Sequence, residues 1–334
     1  MNLQFLIPVI LLLLTSFKKN KAILFWIFVL VLSAISGLRE NIGTDYKIYH
    51  DIFQGKFPVT GIDLGFMFYA LSFSLVDASG QLGMLVTASI TIFFHLYFIR
   101  KFSINFLFST LLFICLPIFF LSTLNLVRAH FAISIGLMGI LLFYEKKHFF
   151  SLMMIGLSCL MHIAGVVFLS VFISKFVSRK FILICIVAIL VSFLLVMSTN
   201  IESIIDYYFP SFSYFKTHNS DNSPILAGLF LLINCFTLLI LYIQKTFSRI
   251  QRILIILNLA TIMSLLLWFV SDYSNLWLRF SNFTSVHLLI SLPFALKCIK
   301  PYKNELVITS TTSIFLIFLF LGYWIEDPSF GFMQ

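Results

Sequence analysis

The chain is a succession of apolar runs, each about as long as a membrane-spanning helix, joined by short polar turns. The runs lie at residues 2–17, 22–37, 82–99, 103–121, 124–144, 181–198, 225–243, 253–270, 280–296 and 306–324. A helix needs about 20 mostly apolar residues to cross the hydrocarbon layer, and somewhat fewer where the protein is thin. About ten such runs predict an all-α polytopic membrane protein, because a helix satisfies its own backbone where no water can. Composition agrees, since 60% of the 334 residues are hydrophobic, 10% are charged and 42 are Phe. No stretch is polar enough to fold in water by itself, which excludes a soluble enzyme, a disordered chain and a nucleic-acid binder. The chain therefore reads as a single integral membrane domain over 1–334, with membrane lipids as partners and no nucleic acid.

Two runs need another reading. Residues 64–76 are short and end in Asp77, while 149–174 is too long for one ordinary span and is interrupted by His162, Ala164 and Gly165. Basic residues gather on the cytoplasmic side of a membrane protein. That rule keeps Arg100-Lys101 and Lys146-Lys147 inside only if 64–76 is an interfacial or re-entrant helix that does not cross. It likewise makes 149–174 a helical hairpin bending near His162, and such a break must lie against protein or a watery cavity. The layout puts both termini outside, with sixteen of the 22 basic and two of the 13 acidic residues inside. The inner face then carries +14 and the outer face −5, so the net charge of +9 records membrane insertion rather than an acidic partner. Lys18, Lys19 and Lys21 follow the first run instead of preceding it, so that run reads as a span and not as a cleaved signal. The five cysteines fall in or at the end of apolar runs with no metal-ligand spacing, and read as inert.

The inner turns are short and basic and serve as anchors. The outer segments 38–63, 199–225 and 271–280 are longer and carry Arg, Asp, Tyr and Trp, so a site for a polar substrate is expected to face outward. In 38–52, Gly43-Thr44-Asp45 gives a turn able to present backbone N–H groups, with Arg39 before it and Tyr46, Tyr49 and His50 after it. A solvated loop whose Arg39 pairs with Glu40 is the plainer alternative.

At 125–136, Arg128 lies about one turn into a span. There an arginine either snorkels to the headgroups or faces a cavity or partner. Ala132, Gly136 and Gly139 share its helix face, and such a small-residue stripe admits a close neighbour and turns Arg128 inward. Segment 199–225 sets Glu202 and Asp206 on one helical face before Tyr207, Tyr208 and Tyr214. Segment 271–280 puts Asp272, Trp277 and Arg279 at an outer mouth. His162 is either a packing residue or, at a bend beside a cavity, a base or phosphate ligand. His95, His148 and His287 read as structural. The sequence carries no Walker A, GxGxxG or HExxH motif and no Asp-x-Asp pair, so nucleotide, zinc-peptidase and metal-dependent nucleotide-sugar chemistry have no support.

The ordered set Arg39, Gly43-Thr44-Asp45, Tyr49, Asp63-x-Gly65-Phe66, Asn125-x-x-Arg128, a basic turn and His162 resembles the EpsG family of bacterial exopolysaccharide proteins, grouped with Wzy-type polysaccharide polymerases. Motifs carry the resemblance over residues 20–175; hydropathy and Arg279 extend it further. One departure is that the family often has Gln after the arginine, where this chain has Ala129 and then His130.

The resemblance implies a GT-C-like fold and a metal-independent glycosyltransferase needing no cofactor. It would join lipid-linked oligosaccharide repeat units, carried on undecaprenyl diphosphate, on the outer face of the bacterial cytoplasmic membrane. Donor and acceptor are both lipid-linked glycans, and a flippase and a chain-length regulator are the expected protein partners. Arg128 and Arg279 would clamp the diphosphate, Arg39 and Asp45 would position it or the reacting sugar, and His162 would lie near the cavity floor. Gly43, Thr44, Tyr49, Asp63, Asn125, His130 and Asp272 complete the expected substrate-binding set. A flippase for the same glycan, or an O-antigen ligase or acyltransferase, are the competing readings.

Overall fold

A computed structural model describes residues 21–40, 45–56, 63–76, 79–115, 126–198, 224–244, 246–270 and 274–299. The expected spans 2–17 and 306–324 and nearly all of segment 199–225 lie outside these. The described residues are helical throughout, with no strand among them. In chain order the helices are α1 (Lys21–Gly37), α2 (Tyr46–Phe53), α3 (Leu64–Ser74), α4 (Gly80–Phe102), α5 (Phe106–Cys115), α6 (Val127–Tyr144) and α7 (His148–Met161). A 3-10 helix (Ile163–Phe176) follows, then α8 (Arg179–Ser198), α9 (Pro224–Ile243), α10 (Arg249–Val270), α11 (Ser274–Ser285) and α12 (Leu288–Ile299).

Four of them are long and apolar enough to cross a membrane, over Gly80–Phe102, Val127–Tyr144, Arg179–Val196 and Arg249–Phe269, and shorter apolar helices accompany them. The surface of α8 shows what solvent they are built for. Ile184 is 66% exposed and Leu194 62%, an apolar face that water would not tolerate and lipid requires. The protein is a polytopic membrane protein.

The chain divides into two compact units, 1–166 with 300–334, and 167–299. In the first, α4 packs on α1, α2 and α6, and α6 packs on α7. The α6–α7 pair is antiparallel and close because α6 offers small residues. The Ser151 hydroxyl donates to the Gly139 carbonyl at 2.8 Å and the Ser158 hydroxyl to the Ala132 carbonyl at 2.7 Å. A Cβ on Gly139 would come within 2.7 Å of Ile155. The stripe expected beside Arg128 is thus filled by α7. At one end of this unit Lys101 and Lys147 meet Glu145 at 3.6 and 3.1 Å, which ties the end of α4 to the α6–α7 turn.

The bend expected near His162 is present. Helix α7 stops at Met161, His162 is extended at φ −161°, ψ 127°, and the chain continues as a 3-10 helix. Gly165 comes back onto Ser158 so closely that a Cβ there would lie 2.6 Å from its hydroxyl. Burial along the second arm falls on Gly165, Phe168, Val171, Ser174 and Val177, a spacing of three that matches three residues per turn.

In the second unit the helices are joined by buried hydroxyl and amide bonds. The Asn258 amide donates to the Thr237 hydroxyl at 2.6 Å, and the Thr261 and Thr284 hydroxyls meet at 2.7 Å. The run 280–296 is not one helix but two, α11 and α12, parted by a turn at Val286-His287. There the buried His287 ring donates from Nδ1 to the Thr284 carbonyl at 2.8 Å, a local bond that competes with regular helix.

Candidate functional site

The expected site residues described in the first unit gather toward its end opposite Glu145. Arg39 follows α1 immediately. Its position is held by Gln81, in the first turn of α4, whose amide donates to the carbonyls of Gly37 and of Arg39, the latter at 3.2 Å. The Gln81 carbonyl in turn accepts from the Tyr46 hydroxyl at 2.9 Å. Nothing in the residue types around Gln81 marks this role; a lone polar residue opening an apolar helix was the available signal.

The guanidinium of Arg39 is 4% exposed, and none of its three nitrogens has a hydrogen-bond partner among the described residues. The expected pairing with Glu40 is not what fixes it. Burial lowers its pKa to about 10, against the smaller opposing influence of Tyr46, Tyr49 and Asp45. Near α1's end, the buried hydroxyls of Ser33 and Ser36 are also without partners among the described residues.

Helix α2 is amphipathic, burying Tyr46, Tyr49, Ile52 and Phe53. Tyr49 links Arg39 to Arg128: it interacts electrostatically with Arg39, and its hydroxyl accepts the backbone N–H of Arg128 at 3.5 Å. Arg128 itself is ion-paired, its Nε 3.3 Å from Oδ2 of Asp63, with both side chains about three-quarters buried. Asp63 stands just before α3, and Gly65 lets α3 approach α7 until a Cβ would be 2.6 Å from the Leu160 carbonyl.

The pairs Gly139–Ser151 and Ala132–Ser158 fall in one antiparallel series, which ends with α7 at Met161, just before His162. His162 is 6% exposed and its Nδ1 accepts the Ala164 N–H at 3.2 Å. In the neutral ring the proton is therefore on Nε2, which makes that atom a hydrogen-bond donor. His130 lies in the core at 1% exposure with both ring nitrogens unpartnered among the described residues. His95, expected to be a plain packing residue, is its neighbour, with ring centroids 6.1 Å apart. His95 donates from Nδ1 to the Thr91 carbonyl at 2.8 Å and keeps an unpartnered Nε2. The Thr87, Thr91, His95 spacing was the signal for this, a polar stripe of period four on an apolar helix.

Gly43, Thr44, Asn125 and Asp272 lie outside the described residues. Arg279 is in α11 of the second unit, and its side chain lies outside them too. Asp45 is partly buried at the start of α2. Among the described residues no group of His, Cys, Asp and Glu is arranged to hold a metal.

A buried cation with no hydrogen-bond partner among the described residues, a second cation paired to Asp63, and Arg39, Asp45, Tyr49, Asp63, Arg128 and His162 in that order all lie in one unit. The EpsG family matches residues 22–334 of the chain. The chain belongs to the EpsG family. Membership covers both compact units, including the 3-10 arm and α8 to α12, for which the motifs alone said little. It marks the chain as a membrane protein of polysaccharide synthesis. No curated protein and no solved structure matches the chain at a significant level.

Proposed function

We propose that this EpsG-family protein polymerises oligosaccharide repeat units carried on undecaprenyl diphosphate, on the outer face of the bacterial cytoplasmic membrane. The observation that carries the reading is Arg39. Arg39, 4% exposed and with no hydrogen-bond partner for any guanidinium nitrogen among the described residues, calls for an anion that those residues do not supply. The diphosphate of a lipid-linked donor is such an anion, and it also needs positive charge most when it leaves.

In the reaction, an acceptor hydroxyl attacks the anomeric carbon of the donor sugar. The bond from that carbon to the diphosphate oxygen breaks, and the electron pair departs with the lipid diphosphate. Arg39 holds the leaving phosphate, Arg128 takes up its second charge, and the Nε2–H of His162 adds a donor. The acceptor's proton passes to Asp45, a carboxylate within electrostatic reach of Arg39. The GT-C-like fold and the chain-length and flippase partners belong to this proposal as well.

The test is the length profile of surface glycan in a deletion strain complemented with Arg39→Ala or Arg128→Ala. Each variant, at normal protein level, should collapse the ladder to single repeat units at the surface. Long polymer in the Arg39→Ala strain would take Arg39 out of the mechanism. In the deletion strain, units trapped on the cytoplasmic face would indicate a flippase instead, and unattached chains of normal length a ligase.

A further inference from the structure

Arg39 and Arg128 are prepared differently. Arg39 has no hydrogen-bonding partner among the described residues, whereas Arg128 is held by Asp63 at 3.3 Å. Asp63 has a second option at no distance. It is the residue before α3, its backbone is already extended at φ −68°, ψ 138°, and its carbonyl accepts the Met67 N–H at 3.0 Å. This is the geometry of a helix N-cap, where Asp is among the preferred residues because its carboxylate accepts N–H bonds of the first turn. Here the side chain makes no capping bond. The carboxylate leaves the helix terminus and goes to the arginine. One rotation of the Asp63 side chain, with no change in the backbone, would exchange one partner for the other.

We propose that Asp63 is a specificity-determining counter-ion: an anionic headgroup engages Arg128 only by displacing the Asp63 carboxylate, which then caps α3. This rests on the reading that a lipid-linked diphosphate binds at this end of the unit. A neutral glycan cannot displace a carboxylate from a guanidinium, and a group with a single charge does so less well than a diphosphate. The pair therefore discriminates by making the wrong ligand face an occupied cation. Arg39 meets the headgroup with no hydrogen-bonded competitor among the described residues, and Arg128 joins only when the incoming charge exceeds that of Asp63. With both side chains about a quarter or less exposed, the exchange takes place out of bulk water, where it is screened little.

Farnesyl diphosphate and farnesyl monophosphate are suitable probes, with binding to the purified full-length protein in detergent followed by calorimetry. Asp63→Asn keeps a good capping side chain but removes the charge. It should bind both probes more tightly than the wild type, by about 5- to 100-fold, with the larger gain for the monophosphate, so that preference for the diphosphate narrows. Adding Arg128→Ala should abolish the gain. A variant that binds only when Asp63 is Asn, with no binding in the wild type, would support the same conclusion. Equal or weaker binding by Asp63→Asn, or a gain that survives Arg128→Ala, would overturn it. If the wild type binds the diphosphate and Asp63→Asn binds it no better, only the counter-ion role fails. If neither protein binds either probe, the diphosphate site fails and the counter-ion role with it.

Discussion

A guanidinium taken out of water loses its hydration, and only hydrogen bonds and a counter-charge restore what is lost. At Arg39 the described structure supplies no hydrogen bonds, and the nearby Asp45, Tyr46 and Tyr49 offset only part of the desolvation. Replacing even a buried ion pair by apolar side chains of similar volume is often neutral or stabilising, by about 1–4 kcal/mol, and a cation with no hydrogen bonds among the described residues has less to lose. Arg39→Met should therefore unfold at a higher temperature than the wild type in detergent while making no long polymer. A lower midpoint would mean that Arg39 has a structural partner. Arg39 and Arg128 were legible in the sequence because an arginine in an apolar outer segment is rare enough to notice. The neighbouring His95 and His130 were not, since their meeting depends on how α4 and α6 cross, which no local pattern encodes.

At the scale of elements, what could be read depended on whether the signal was local. The stripe Ala132, Gly136, Gly139 announced a close neighbour, and α7 fills it. The break at His162 could be read from a run too long for one span, but its 3-10 continuation could not. That form appears in the spacing of three between Phe168, Val171 and Ser174, which hydropathy averages away. The same averaging fused α11 and α12 into one run, because Val286-His287 changes the backbone without lowering the apolar content much. The contact of α3 with α7 turns on Gly65, where a Cβ would meet backbone atoms of Leu160 at 2.6 Å, and backbone cannot rotate aside. Gly65→Ala should force the two helices apart and destabilise the protein by roughly 1–3 kcal/mol. Because Asp63 is two residues away, the same change should pull it off Arg128 and shorten the glycan ladder. Thermal unfolding reads the first effect and gel profiles the second; normal values of both would show that α3 yields without strain.

The whole molecule has a polarity that the charge count and the geometry describe independently. The basic-residue rule set Arg100, Lys101, Lys146 and Lys147 on the cytoplasmic side and Arg39, Lys56 and Arg128 on the other. In the first unit Lys101 and Lys147 converge on Glu145 at one end, where Lys147 also holds the Glu145 carboxyl below its ordinary range. Arg39, Tyr49, Asp63 and Arg128 are at the far ends of α4 and α6. A lipid-linked substrate presented outside can reach this group only if that end is the outer one. Lys56, with its side chain 68% exposed, and Lys147, 57% exposed, report on the two ends. In a cysteine-free background, Lys56→Cys should react with a membrane-impermeant maleimide in intact spheroplasts. Lys147→Cys should react only after the membrane is opened. The reverse pattern would put the two arginines in the cytoplasm, where a polymerase acting on the outer face has no use for them, and would leave the charge asymmetry itself without its usual cause. The labelling experiment therefore bears on the site as directly as on the topology: the chemistry proposed for Arg39 requires the orientation that the inner turns alone are enough to set.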